Sequence, residues 1–129
     1  MGLKEYFESK SGTGIMATAD PEGRVDMAVY AKPVVIDEST IAFVMRQRLS
    51  HQNLKQTLHA AYLFMESGAG YRGKRLYLTK IREEINVTLA EAMRKQQPAI
   101  YPDGDDSGKF VVFFHVDRVR PLVGDSVPE

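Results

Sequence analysis

Leu3, Tyr6 and Phe7 fall at i, i+3 and i+4, a spacing that predicts a short amphipathic helix ending near Gly12 and Gly14. The pattern then changes to that of strands. Ile15 to Ala19 is a small apolar run, and Asp20-Pro21-Glu22-Gly23 places Pro and Gly where a tight turn needs them. Val25 to Ala31 reads as the returning strand of that hairpin. Val34-Val35-Ile36, a turn at Asp37-Glu38-Ser39 and the run Ile41 to Met45 predict a second hairpin. Ser50 is a candidate N-cap for a helical piece reaching about Leu58. His59 to Met65 reads as a further strand. The loop Ser67-Gly68-Ala69-Gly70 leads into a basic alternating segment from Arg72 to Arg82, with Leu76 and Leu78 on one face. Ile85, Leu89 and Met93 recur at i, i+4 and i+8, so a helix is expected from Glu84 to Gln96, its two acids, Glu83 and Glu84, at the start suiting the helix dipole. A Pro/Gly/Asp-rich loop from Pro98 to Gly108 precedes a last strand, Phe110 to Val119.

That last strand is apolar on both sides, with Phe110, Val112, Phe114 and Val116 alternating with Val111 and Phe113. One side can fill a barrel interior, and the other must be covered by a helix or a partner subunit. Six or seven short antiparallel strands with three helices cannot cover every such side, so a homodimer is expected.

Composition narrows the functions open to such a chain. Its 129 residues suffice for one compact domain, and no internal repeat or boundary divides it. Seventeen Lys+Arg against seventeen Asp+Glu leave no net charge, which argues against broad nucleic-acid binding. Without cysteine there can be no disulfide, thiolate metal site, iron–sulfur cluster or cysteine nucleophile. No apolar stretch approaches the ~20 residues of a membrane-spanning helix, and the N-terminus lacks a signal-peptide core. A cytoplasmic protein is expected.

The densest chemistry lies in the stretch from Phe43 to Leu54. If the strand continues, Arg46 and Arg48 share one face. Ser50 then opens a helix, whose first amides favour an anion. Two guanidiniums, a hydroxyl and a helix start within five residues suggest a phosphate cradle. Solvated surface arginines beside an ordinary cap are the alternative. Arg72, Lys74, Arg75, Lys80 and Arg82 form a second basic run, either a solvated face or one that offers Arg72 to a ligand anion. Tyr30, Tyr62, Tyr71 and Tyr77 could flank a flat ring or pack in the core. Asp103, Asp105, Ser107 and Gly108 begin a calcium-loop pattern, but Phe114 stands where its bidentate Glu belongs. His51, His59 and His115 have no zinc-site spacing. The glycine pairs Gly12/Gly14 and Gly68/Gly70 lack the rest of a nucleotide fingerprint.

Three segments together resemble one family. Ile15 to Arg24 looks like the opening hairpin of the pyridoxamine-phosphate-oxidase-like FMN-binding split barrels. Arg46 to Leu54 with Ala61-Tyr62-Leu63-Phe64 looks like their phosphate-binding strand, helix and next strand. Phe114 to Leu122 is similar to their closing strand, so the resemblance spans about residues 3–123. It implies a mainly β fold, a six- to seven-stranded antiparallel split β-barrel, working as a homodimer with FMN at the subunit interface. Carried over by position, Tyr30, Ala31 and Lys32 would lie beside the flavin, with Val44, Met45 and Arg46 on the neighbouring strand. Arg48, Ser50, Asn53 and Leu54 would surround the phosphate and ribityl chain, and Gly70, Tyr71 and Arg72 would reach in across the interface.

The chain also departs from the family. Ser50 stands where the oxidases usually carry a Lys, leaving Arg48 to supply the charge, and Met27 stands where an Arg is common. The C-terminal extension with which the true oxidases bind pyridoxal phosphate has no counterpart, so vitamin B6 oxidation is not expected. The resemblance therefore implies an FMN-dependent oxidoreductase fed by a nicotinamide or protein electron donor. A flavin-binding carrier or sensor, or a barrel holding a deazaflavin or haem, is the alternative. No acid or base stands out as catalytic, which suits chemistry carried by a cofactor.

Overall fold

A computed structural model describes residues 2–45, 49–85, 88, 92 and 110–124. Helix α1 (Leu3–Ser9) is followed by strands β1 (Gly12–Ala19), β2 (Val25–Tyr30), β3 (Val34–Asp37) and β4 (Thr40–Met45). The one-turn helix α2 (Leu49–Asn53) leads to β5 (His59–Glu66), β6 (Gly73–Ile85) and β7 (Phe110–Pro121). The seven strands form one antiparallel sheet in the order β2-β1-β5-β6-β7-β4-β3. This is the mainly β antiparallel architecture expected from the sequence, with seven strands of the six or seven predicted.

The sheet curls around one core. Met16, Phe43, Tyr62, Phe64, Leu76, Leu78, Val112 and Phe114 all point inward, and α1 closes the core with Leu3, Tyr6 and Phe7. These rings meet edge-on, Phe7 on Phe64 at 5.4 Å and Phe43 on Phe114 at 5.9 Å, a geometry that suits their quadrupoles. Tyr62 crosses the barrel so that its hydroxyl donates to the carbonyls of Tyr30 and Ala31 at 3.2 and 3.1 Å. That path requires a glycine at position 14, because a Cβ there would meet the Tyr62 hydroxyl at 1.9 Å.

Two expectations change. The helix from Glu84 does not begin there: β6 runs on through Ile85, pairing Glu83 with Val112, Glu84 with Val111 and Ile85 with Phe110. Thr88 and Ala92 are helical, while the rest of the expected helix and the Pro98–Gly108 loop lie outside the described residues. Glu83 and Glu84 therefore lie in a strand rather than in a first helical turn; Glu84 accepts from Arg82 at 2.8 Å across the strand face. The second side of β7 is covered within the chain, so of the two expected covers the partner subunit is not required there. Val111 and Phe113 are buried with Ala42 and Val44, Val34 packs against them, and the Arg82 guanidinium lies 3.8 Å over the Phe113 ring.

Candidate functional site

Among the described residues the buried polar side chains are Thr18, Ser50, His51 and Asn53. All four sit where α2 packs on β1 and β2. Apart from the hydroxyls of Tyr6 and Tyr62, the rest of the described buried side chains are apolar. Buried polar groups cost free energy unless partnered, and here most are. The Asn53 amide donates to the Thr18 hydroxyl at 3.0 Å, and Ser50 donates to the Asp26 carboxylate at 3.4 Å. His51 places Nε2 at 3.0 and 3.2 Å from the two Glu83 oxygens. Lys80 reaches the same carboxylate at 2.6 Å and the Leu54 carbonyl at 3.2 Å.

A groove of about 930 Å³ opens beside this cluster. One wall is the β1–β2 turn, in which Asp20 is held by Arg24 at 2.7 Å and by the backbone amides of Glu22 and Arg24. Those hydrogen bonds hold the Asp20 carboxyl below its usual range. The other wall is α2 with the turn after it, from Leu49 to Gln56. Glu83 is pulled both ways: burial pushes its carboxyl up, but hydrogen bonds from Lys80 and His51, with the Lys80 charge, hold it below the ordinary value.

The sequence-predicted site residues separate into groups. Met45, Ser50, Asn53 and Leu54 come together at the α2 end of the barrel, where Met45 pairs with Phe110 and Phe110 stacks on His51 at 4.1 Å. Leu54 is wholly within the core. Ser50 lies inside α2 rather than capping it, since the helix begins at Leu49. The helix also ends at Asn53, short of Leu58. Val44 faces the opposite side of the sheet, in the cluster with Val111 and Phe113. Arg46 and Arg48 lie outside the described residues.

Tyr30 and Ala31 are at the other end of β2, with the Tyr30 ring edge-on to Phe43 at 6.1 Å. The Lys32 ammonium is engaged there as well, donating to the carbonyls of Phe7 and Lys10 at 2.8 and 2.7 Å and so closing the end of α1. Gly70, Tyr71 and Arg72 belong to the β5–β6 loop beside the start of β1, where Gly70 has φ +83° and Tyr71 is exposed. A second, smaller hollow of about 430 Å³ lies there, between Thr13, Met65 and Tyr71. Thr13 and Thr18 are five residues apart on β1, about 17 Å at the strand rise. One chain therefore does not bring the Gly70–Arg72 loop to α2. His51 and its Glu83 partner were not among the predicted residues. A lone histidine carries no local spacing signal, and its acid lies 32 positions away on a segment that reads as the start of a helix.

The architecture is that of a split β-barrel. An FMN-binding protein from Syntrophomonas wolfei subsp. wolfei superposes with a TM-score of 0.77 at 15% identity, over 94% of this chain and 84% of that one. An F420 reductase superposes with a TM-score of 0.71 at 14% identity, covering 93% and 98%. A Clostridium acetobutylicum protein related to general stress protein 26, of the pyridoxinephosphate oxidase family, gives 0.66 at 14% identity over 92% and 87%. At these identities the shared property is the fold, which is the one the resemblance implied. No family model matches the chain, and no curated protein matches it in sequence. No described helix is long and apolar enough to cross a membrane.

Proposed function

We propose that this chain is an FMN-binding oxidoreductase-like protein of the pyridoxamine-phosphate-oxidase-like family, with its cofactor at the α2 end of the barrel in a homodimer. The observation that carries this reading is the collection of every described buried polar side chain around α2, beside a groove of cofactor size. Asn53, Ser50 and His51 fit the polyol and phosphate portion of such a cofactor, with Arg46 and Arg48 supplying positive charge from the segment before α2. The bound flavin supplies reversible electron and hydride transfer, and the protein holds and orients it. Tyr30, Ala31 and Lys32, with Gly70, Tyr71 and Arg72, lie at the far end of β1, so they complete the site only from a second copy. The exposed apolar row Val25, Met27 and Val29 on β2 gives that copy a surface to cover. A nicotinamide or protein donor would supply the electrons, and the expected setting is the cytoplasm. The fold shared with an F420 reductase supports a deazaflavin as the second reading.

The test is a visible absorption spectrum of the purified protein after incubation with FMN and desalting. The expected result is flavin bands at about one FMN per chain. Turnover with NADH or NADPH then separates an enzyme from a carrier or sensor. Protein that rejects FMN but retains F420 selects the deazaflavin reading, and protein that retains neither refutes both. Arg48→Glu should abolish FMN retention with the dimer intact, and unchanged retention would remove Arg48 from the phosphate site.

A further inference from the structure

The three histidines have different surroundings. His59 and His115 lie on the exposed side of the sheet, where their Nδ1 atoms face the Thr79 hydroxyl at 3.2 Å and the Asp117 carboxylate at 2.7 Å. His51 is 1% exposed and lies flat on Phe110 with an interplanar angle of 23°. Its Nε2 faces a carboxylate that Lys80 holds from the other side at 2.6 Å. An ionised carboxylate only accepts, so the imidazole proton sits on Nε2 and Nδ1 is left as a bare acceptor. That Nδ1 is the one buried side-chain polar atom without a partner among the described residues. A doubly protonated ring would be worse, because it would bury an N–H with no acceptor.

Native interiors leave few such atoms unpaired, and each exception calls for a partner or a role. His51 also lines the groove between the β1–β2 turn and α2. We infer that His51 Nδ1 is a ligand acceptor: it takes a hydrogen bond from a hydroxyl of a polyol-bearing ligand in this groove, while Glu83 and Lys80 are positioning residues that fix its tautomer. The inference rests on the flavin reading above, since FMN, riboflavin and the deazaflavin coenzyme share a ribityl chain with hydroxyl donors. It adds a residue that neither the family resemblance nor the phosphate motif assigns.

The experiment compares His51→Gln and His51→Asn with wild type by flavin-fluorescence titration with FMN and riboflavin, alongside thermal unfolding. A Gln amide can stand in for Nε2–H toward Glu83 but offers no acceptor at the Nδ1 position, whereas Asn does the reverse. The Gln variant should keep its unfolding midpoint and bind both flavins about fivefold to twentyfold more weakly. The Asn variant should bind more tightly than the Gln variant while unfolding at lower temperature. In wild type, the ¹⁵N resonance of His51 Nδ1 should move upfield when riboflavin is added, as for an acceptor that gains a proton donor. A Gln variant that binds like wild type, or an unmoved Nδ1 resonance, overturns the inference and leaves the flavin reading standing. Wild-type protein that binds no FMN, riboflavin or F420 overturns both.

Discussion

The outward sides of the two halves of the sheet are built in opposite ways. Around β4 and β7, the outward residues Ala42, Val44, Val111 and Phe113 are all buried within the chain. Around β2, β1 and β5, two registered rows run outward, Met27–Ala17–Ala61 and Val29–Ile15–Leu63, and Val25, Met27 and Val29 are 80%, 71% and 59% exposed. Both sides are apolar, but only one is closed. Ordinary alternation would turn Val25, Met27 and Val29 into the core and Asp26 to water. Instead Asp26 turns inward to Ser50, and Tyr30 inward to Phe43. The exposed apolar side of β2, rather than β7, is therefore where the proposed second copy would dock.

The sharpest way to break this contrast is to cut into the closed half. Phe113→Ala removes a ring from a fully packed cluster and its guanidinium cover. It should cost about 3–4 kcal/mol, the usual price of a buried Phe truncation, read as a lower urea midpoint with an unchanged m-value. A loss under about 1 kcal/mol would mean that this cluster is not a closed core.

The open half predicts the reverse. Met27→Asp should leave the folded chain within about 1 kcal/mol of wild type. It should weaken self-association on the order of 100-fold, because a carboxylate would be buried against apolar surface. Sedimentation velocity over a concentration series reads this directly. Wild-type protein that stays monomeric at high concentration, or a Met27→Asp dimer as tight as wild type, would remove β2 from the proposed interface.

The same contrast explains what local sequence could and could not reveal. The strands are legible because their apolar alternation and turn residues are local: Asp20 to Gly23 makes the first turn, and the Asp37 carboxylate accepts from the Ser39 amide in the second. The extension of β6 is not, because Ile85 satisfies both a helical spacing with Leu89 and a strand pairing with Phe110. Only β7, far along the chain, decides between them. In the same way Ser50 and Asn53 stand out as polar residues in the right stretch, but their partners Asp26 and Thr18 come from another hairpin. His51 is invisible until Glu83 arrives from β6.

The smallest effect tests the seam between the halves, where β6 sends Lys80 and Glu83 under α2. Glu83 is held below the ordinary carboxylate value by Lys80 and His51 against the opposing push of burial. A depressed folded-state value means that this stability is present above the unfolded glutamate pKa, about 4.3, and is lost as pH falls through the folded value. Glu83→Gln keeps an acceptor for Lys80 and His51 but discards the charge. At pH 7 the variant should be less stable than wild type by about 1 kcal/mol. As pH drops from about 5 to about 3, wild type should lose that advantage and the two unfolding midpoints should converge. Asp117, held low by hydrogen bonds from Thr79 and His115, is the same in both proteins and cancels in the comparison. A constant gap across that range would mean that Glu83 contributes shape and not charge. The buried polar cluster under α2 would then be held by packing alone, like the closed half of the sheet.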